Sequence, residues 1–281
     1  MTLSDIYKQG KEILKNAGID DYEFDNRIIF EHCFNLKRHE LSFFKDKITS
    51  KALKNKYFLY IEKRKNKIPL QYILGYWYFM GRKFKVKEGV LIPRDDTEVL
   101  VNVVKTQLEN VKNPKILDLC TGTGIIAITL ASYFKNAKIM AADISDLALD
   151  VLNENITLNK INNIIVKKIN VLNFNDLEFN DLDLIVSNPP YIPKNDIKSL
   201  QDEVKFEPEI ALNGGVDGLD FYKAITKNFK RLLKHNGDIC FEVGIRQSFD
   251  VMKILKSNGF YDIKIAKDIN DIDRVVYGKL K

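Results

Sequence analysis

The spacing of hydrophobic positions along this chain changes twice, and each change marks a new kind of structure. From residue 2 to about 67 the spacing is helical. Leu3, Ile6, Tyr7, Ile13 and Leu14 predict a first helix, which Thr2 or Ser4 can cap; Phe24, Ile28, Ile29 and Phe34 predict a second. Leu53, Tyr57, Tyr60 and Ile61 predict a third, and the aromatic residues read as the core of a small all-helical domain over 1–68. After Pro69 comes Leu70 to Gly75, and then Tyr76-Trp77-Tyr78-Phe79, Gly81 and Phe84-Lys85-Val86 alternate in the manner of a β-hairpin, which predicts a connector over 69–93.

From 94 onward, short apolar runs of strand length alternate with longer helical ones. Asp96 or Thr97 can start a helix bearing Val99, Leu100, Val103 and Val104. Strands are expected over 115–119, 138–142, 164–169, 183–186 and, opened by Gly237, 238–243; helices are expected over 125–134, 145–158, 221–233 and 247–256. Residues 263–266 and 274–277 complete the set as a terminal strand pair. The expected fold class is therefore α/β. It is a doubly wound, mostly parallel seven-stranded sheet of Rossmann type over 94–281, with an antiparallel strand at one end.

Candidate chemistry lies where the strands end. In an open α/β sheet, ligands bind beyond the carboxyl ends of the strands. The first strand runs into Cys120-Thr121-Gly122-Thr123-Gly124, where glycine lets the backbone approach a ligand and a helix N-terminus follows. The second ends at Asp143, 19 positions after Gly124, placed to accept hydrogen bonds from ribose hydroxyls. Gly122 to Ala127 also matches the dinucleotide fingerprint, which brings a nicotinamide enzyme into consideration. The third strand ends at Asn170, and the fourth runs into Ser187-Asn188-Pro189-Pro190-Tyr191.

That last tip leaves the sheet because two prolines cannot donate to a ladder. Asn188 Oδ1 and the Pro189 carbonyl are two acceptors that suit a planar NH2 group, and Tyr191 offers a flat ring to hold it. With both hydrogens so held, the nitrogen lone pair faces an electrophile on the remaining side. The plainer reading of Asn-Pro-Pro is an ordinary turn, and the tip alone does not decide between them.

Composition narrows the classes. Apolar runs fall short of a bilayer span, and the opening Met-Thr-Leu-Ser-Asp-Ile-Tyr-Lys lacks a signal-peptide core, so a cytoplasmic protein without membrane association is expected. Cys33, Cys120 and Cys240 are isolated, as are His32, His39 and His235, which suggests neither disulfides nor a metal site. Residues 1–84 carry 17 Lys/Arg against 10 Asp/Glu, which accounts for more than the whole net charge of +6. Nine of the basic residues lie between Lys45 and Lys67, a segment that either attracts an acidic partner or nucleic acid or is simply a solvated Lys-rich face.

Together, Asp118 to Gly124, Asp143 and Asn188-Pro189-Pro190-Tyr191 resemble class I S-adenosylmethionine-dependent methyltransferases. More narrowly, the chain resembles the HemK-type peptide chain release factor N5-glutamine methyltransferases over essentially its whole length. Pro69 to Gly75, Leu91 to Glu98, Ser187 to Tyr191, Phe206-Glu207-Pro208 and Asp273-Arg274-Val275 match in order. The resemblance implies methylation of the glutamine amide in the Gly-Gly-Gln motif of a release factor, with S-adenosylmethionine as cofactor.

It also implies site residues. For the cofactor these are Asp118, Cys120, Thr121, Gly122, Thr123, Gly124, Asp143, Ile144, Asn170, Val171 and Asn188. Arg94, Asn188, Pro189, Pro190 and Tyr191 are implied for substrate, with Asn188, Pro189 and Tyr191 at the reacting nitrogen. Two departures from the family pattern are Cys120, where glycine is frequent, and Asn170, where an acidic residue is frequent near the adenine. The alternative is a nucleic-acid adenine-N6 or guanine-N2 methyltransferase, since an exocyclic amino group fits the same acceptors. No base-reading module is evident, so direct nucleic-acid binding is not expected. A non-catalytic cofactor-binding protein is a third class, against which the complete tip argues. Sequence alone does not indicate whether an auxiliary subunit takes part.

Overall fold

The computed structural model describes residues 1–36, 38–40, 42–43, 46–174 and 177–281; Lys45, which opens the basic segment, lies outside them. The chain divides into two compact units, Met1–Tyr76 with Gln201–Phe206, and Trp77–Leu200 with Glu207–Lys281.

In the first unit, α1 (Leu3–Asn16) begins with a reciprocal cap: Thr2 Oγ1 accepts from Asp5 N at 3.2 Å and Asp5 Oδ2 accepts from Thr2 N at 3.0 Å. It packs against α2 (Tyr22–Phe34) and α3 (Lys51–Lys65), with α4 (Leu70–Leu74) following. The apolar face expected of α2 is rotated. Phe24 is 43% exposed, whereas Asp25 and Asn26 are buried beside Ile29, Phe30 and Cys33. These polar groups are inside because each is paired there. Arg64 Nε donates to Asp25 at 2.5 Å and Arg64 Nη2 to Glu203 at 2.5 Å, while Asn26 accepts from the Tyr57 hydroxyl and donates to the Tyr7 carbonyl. Leu53 is likewise exposed, and Arg64 is withdrawn from the basic surface into this ion cluster.

After α4 come β1 (Tyr76–Phe79) and β2 (Arg82–Lys85), joined through Met80 and Gly81, both at positive φ as a tight hairpin turn requires. The second unit continues with α5 (Thr97–Gln107), β3 (Lys115–Leu119), α6 (Ile125–Tyr133), β4 (Lys138–Asp143), α7 (Asp146–Leu158), β5 (Ile164–Lys168) and β6 (Leu182–Ser187). It closes with α8 (Asp220–Phe229), β7 (Leu233–Glu242), α9 (Ser248–Ser257), β8 (Phe260–Lys267) and β9 (Asp273–Leu280). The seven-stranded order is β5-β4-β3-β6-β7-β9-β8, parallel except for β9, which runs antiparallel to both its neighbours.

Alternation along the strands builds a core on each face. Ile116, Leu184, Val186 and Cys240 face one side with α5 and α6; Leu117, Ile185, Ile239 and Phe241 face the other with α8 and α9. β7 starts at Leu233, ahead of Gly237, because Leu233 already pairs with Leu182 on β6. The sheet reverses direction of growth between β3 and β6. Their register, Leu119 opposite Ser187, and that of Leu119 with Ala142 on β4, bring the residues that follow these three strands together.

Candidate active site

The loop after β3 is shaped by left-handed backbone at Cys120 (φ 58°), Gly122 (φ 56°) and Gly124 (φ 84°). Thr121 N donates to the Ala142 carbonyl at 3.0 Å, which ties the loop to β4. Beneath it, fully buried Asp118 accepts from Thr121 Oγ1 at 2.6 Å and Ala127 N at 3.2 Å. Its Oδ1 has no hydrogen-bond partner, and burial pushes the carboxyl up to about 7. Asp143 accepts from Gly122 N at 2.9 Å and Ser145 N at 3.0 Å, so backbone amides aim its carboxylate across the loop. Burial raises Asp143 above the ordinary carboxylate range, and those backbone hydrogen bonds oppose the rise.

A cleft of about 210 Å³ opens beyond the ends of β3, β4, β5 and β6, far more room than the ~10–15 Å³ one ordered water needs. Cys120, Thr121, Gly122 and Thr123 form its floor, with Asp143 and Ile144 to one side. Asn170 and Val171 line it after β5, and Arg94, Asn188 and Pro190 line it toward β6. Asn170 Oδ1 accepts from Leu172 N at 3.0 Å and so caps a short 3₁₀ turn, Val171–Asn173.

Four expected site residues do not line this cleft. Asp118 is the support under the loop. Gly124 faces α7: a Cβ there would stand within 3.0 Å of Leu152 Cδ1, so this glycine serves helix packing. Pro189 is buried between Asn188 and Pro190. Tyr191 packs against the core formed with α8 and α9, and its carbonyl accepts from Gln247 Nε2 at 2.9 Å. Burial, reinforced by the Glu242 carboxylate, pushes the Tyr191 hydroxyl above its ordinary value.

The structure adds residues that pattern reading passed over. Glu207 is buried, accepts from Ile92 N at 3.0 Å and pairs with the Arg94 guanidinium. This contact joins the Leu91–Glu98 and Phe206–Pro208 motifs, and their presence in the sequence was the available signal. Asp96 takes the N-cap position of α5, as expected, but its side chain makes no capping hydrogen bond. Asp96 pairs with Arg274 at 2.9 Å, whereas Thr97 is the first helical residue, fully buried, and its Oγ1 accepts from Asn188 Nδ2 at 3.4 Å. Among the described residues, no group of His, Cys, Asp and Glu is arranged to hold a metal ion, and no helix is long and apolar enough to cross a membrane.

The site residues fit an adenosyl cofactor on the structure's own terms. Gly122 has open space where a side chain would stand and a φ that favours glycine, Asp143 offers an oriented acceptor, and Val90, Ile144, Ile169 and Val171 supply apolar walls.

The model of the PrmC N-terminal domain matches residues 5–75, and that of the methyltransferase small domain matches 94–204. A solved methyltransferase from Pyrococcus furiosus superposes with a TM-score of 0.50 at 14% identity, covering 71% of this chain and 89% of that one, a likeness of fold alone. The release factor glutamine methyltransferase of Clostridium acetobutylicum is 38% identical, covering 98% of each chain. With the enzyme of the same name from Clostridium botulinum the identity is 40%, again over 98% of both chains, and the chain belongs to the release factor glutamine methyltransferase family.

Proposed function

We propose that this chain transfers a methyl group from S-adenosylmethionine to the side-chain amide nitrogen, N5, of the glutamine in the Gly-Gly-Gln motif of a peptide chain release factor. The observation that carries this reading is that Asn188, at the end of β6, opens onto the same cleft as the Gly122 loop and Asp143. Bound there, the cofactor supplies an electrophilic sulfonium methyl. Asp143 would hold the ribose hydroxyls, and Ile144 and Val171 would supply apolar walls beside the cofactor.

An amide nitrogen is a weak nucleophile, so this chain's work is positional. Asn188 Oδ1 and the Pro189 carbonyl each accept one hydrogen of the glutamine NH2, which turns the lone pair toward the cofactor end of the cleft. Holding reacting atoms in line contributes up to about 7–11 kcal/mol in favourable cases. The same two acceptors favour positive charge as it grows on nitrogen. Asn188 is an orienting group and not a general base, because its amide does not take up a full proton. Tyr191 acts from behind, since it anchors the tip through Gln247 and the hydrophobic core.

A single glutamine offers little surface for selection, so the release factor is expected to dock on the helical unit as well. Lys51, Lys63 and Lys65 are exposed on α3 and Lys54 is half-buried there; together they supply positive charge for an acidic partner. A cytoplasmic setting follows from such a substrate. The reading is tested by methyl transfer from labelled S-adenosylmethionine to release factor, to its Gln→Ala variant and to bulk nucleic acid. Label is expected in the first alone, and label in nucleic acid with none in release factor would replace this reading by an adenine or guanine amino methyltransferase.

A further inference from the structure

The two acceptors proposed for the glutamine amide, Asn188 Oδ1 and the Pro189 carbonyl, serve only while both stay at one fixed place in the cleft. The chain from Asn188 to Tyr191 is stiff. Pro189 and Pro190 have φ locked at about −65°, and a residue that precedes proline is confined to extended backbone, which applies to Asn188 and Pro189 alike. Such a segment moves as one piece, so its placement is decided where its two ends are held.

One end is held by the sheet. Ser187 closes β6 opposite Leu119 on β3, and its hydroxyl donates to the Leu119 carbonyl at 2.6 Å. The other end is Tyr191. Its carbonyl accepts from Gln247 Nε2 at 2.9 Å, and the same nitrogen donates to the Gly218 carbonyl at 3.4 Å. The loop that leads to Gly218 pairs with the residue after Tyr191: Ile192 N donates to the Leu212 carbonyl and Gly214 N to the Ile192 carbonyl, both at 2.9 Å. Gln247, at the start of α9, therefore holds the far end of the tip and the loop beside it together.

The orientation of this amide is fixed by its neighbours. Gly244 N donates to Gln247 Oε1 at 3.0 Å, in a turn closed by Gln247 N donating to the Gly244 carbonyl at 3.1 Å. Turned end for end, the carboxamide would set its NH2 against that N–H and its oxygen against two carbonyls, so all three neighbours select the same form. Packing is equally close. A Cβ at Gly244 would stand within 3.0 Å of Tyr191 Cδ2 and Gln247 Oε1, and a Cβ at Gly218 within 3.0 Å of the Tyr191 carbonyl oxygen and Gln247 Nε2. Backbone without side chains at these two positions is what lets the amide and the tip meet.

We infer that Gln247 is a positioning residue for methyl transfer: it fixes the Tyr191 carbonyl and, through the two-proline segment, holds the Asn188 and Pro189 acceptors where the glutamine amide must meet the methyl group. This rests on the proposed glutamine methylation, and it adds to that reading a half-buried residue that does not line the cleft. Glutamate at 247 keeps the shape and the acceptor for Gly244 N, but when ionised it has no hydrogen for Tyr191. Methionine keeps a similar length and makes neither bond.

The test uses the full chain with release factor as substrate and four variants: Gln247→Glu, Gln247→Met, Asn188→Ala and the double variant Asn188→Ala/Gln247→Glu. Gln247→Glu and Gln247→Met are each expected to lower kcat by about tenfold, with KM for release factor and calorimetric affinity for S-adenosylmethionine within about twofold of the parent. In the Asn188→Ala background, Gln247→Glu is expected to cost less than about threefold, because the acceptor it places is already gone. Unchanged kcat in Gln247→Glu overturns the inference, since the tie to Gly244 would then suffice. A full tenfold further loss in the double variant overturns it too, as does a parallel fall in cofactor affinity or thermal midpoint, which marks a structural role. If Gln247→Met does not fold, Gln247→Glu decides alone, and unfolding of both makes Gln247 a structural residue and overturns the inference. Failure of the parent protein to methylate release factor would instead remove the reading beneath it.

Discussion

Alanine at Gly124 and alanine at Gly122 are expected to harm this protein in different ways, although the two glycines sit in one loop. At Gly124 the backbone has φ 84°, and a left-handed non-glycine residue costs about 1–2 kcal/mol. The added Cβ would also stand inside 3.0 Å of Leu152 Cδ1 and 3.3 Å from Ile128 Cδ1, and overpacking of this kind costs about 1–3 kcal/mol. The sum for Gly124→Ala is about 2–5 kcal/mol of stability, a large part of the ~5–15 kcal/mol typical of a folded domain. At Gly122 the φ of 56° carries the same backbone cost, but nothing lies within 4 Å of the Cβ position. Gly122→Ala should therefore lose only about 1–2 kcal/mol of stability. It lines the cleft and donates its N–H to Asp143, so its affinity for S-adenosylmethionine should fall by at least about tenfold. Urea unfolding followed by circular dichroism measures the first quantity and titration calorimetry the second. Truncating Leu152 to Ala should relieve part of the Gly124→Ala defect, with a favourable coupling of about 1–3 kcal/mol in the double-mutant cycle. Equal stability losses at the two glycines, or no coupling to Leu152, would refute the assignment of Gly124 to packing.

Asp143→Ala should weaken S-adenosylmethionine binding by about 1.5–3 kcal/mol, the usual worth of a charge-assisted hydrogen bond; unchanged calorimetric affinity would remove Asp143 from the site. Asn188→Ala should slow methyl transfer at least about tenfold while cofactor affinity stays nearly intact, and surviving turnover would exclude the acceptor mechanism. Replacing Lys51, Lys54, Lys63 and Lys65 with Gln should raise KM for whole release factor, more so at low salt, and leave turnover of a short Gly-Gly-Gln peptide unchanged; equal effects on both substrates would place docking elsewhere. Asp118 is held near 7 against an ordinary value of 3.8, so the folded protein keeps its proton while the unfolded chain releases it between these values. Its contribution to stability is present below about 4 and is lost as pH rises through 7, at about 1.4 kcal/mol per pH unit. Asp118→Asn keeps an acceptor for Thr121 and Ala127 but has no proton to lose, so its urea midpoint relative to the parent should climb from pH 5 to pH 8. A difference that does not change with pH would show that Asp118 ionises normally in the fold.

The alternation of strand and helix from Lys115 onward, the cap at Thr2, and the strand ends at Asp143 and Asn188 were all legible in the sequence. Each depends on residues a few positions apart: a cap bonds within one turn, a buried strand is a short apolar run, and two consecutive prolines must end a ladder. What periodicity misjudged was which polar residues lie inside. Asp25 and Asn26 look solvent-facing by hydropathy, and they are buried because Arg64 and Tyr57, from another helix, meet them there.

The site divides along the same line. The cleft's floor and the tip at Asn188 could be named from the chain alone, because a glycine loop and an Asn-Pro-Pro-Tyr tip are contiguous. That Gly124 packs on Leu152, that Glu207 holds Arg94 across 113 residues and that Thr97 meets Asn188 across 91 could not. Sequence by itself determined the local elements and the chemistry carried at each strand end. Only the tertiary structure decided which of those groups share a cleft and which support it from behind, because that choice is made by strand order and register, and these arise from contacts between segments far apart in the chain.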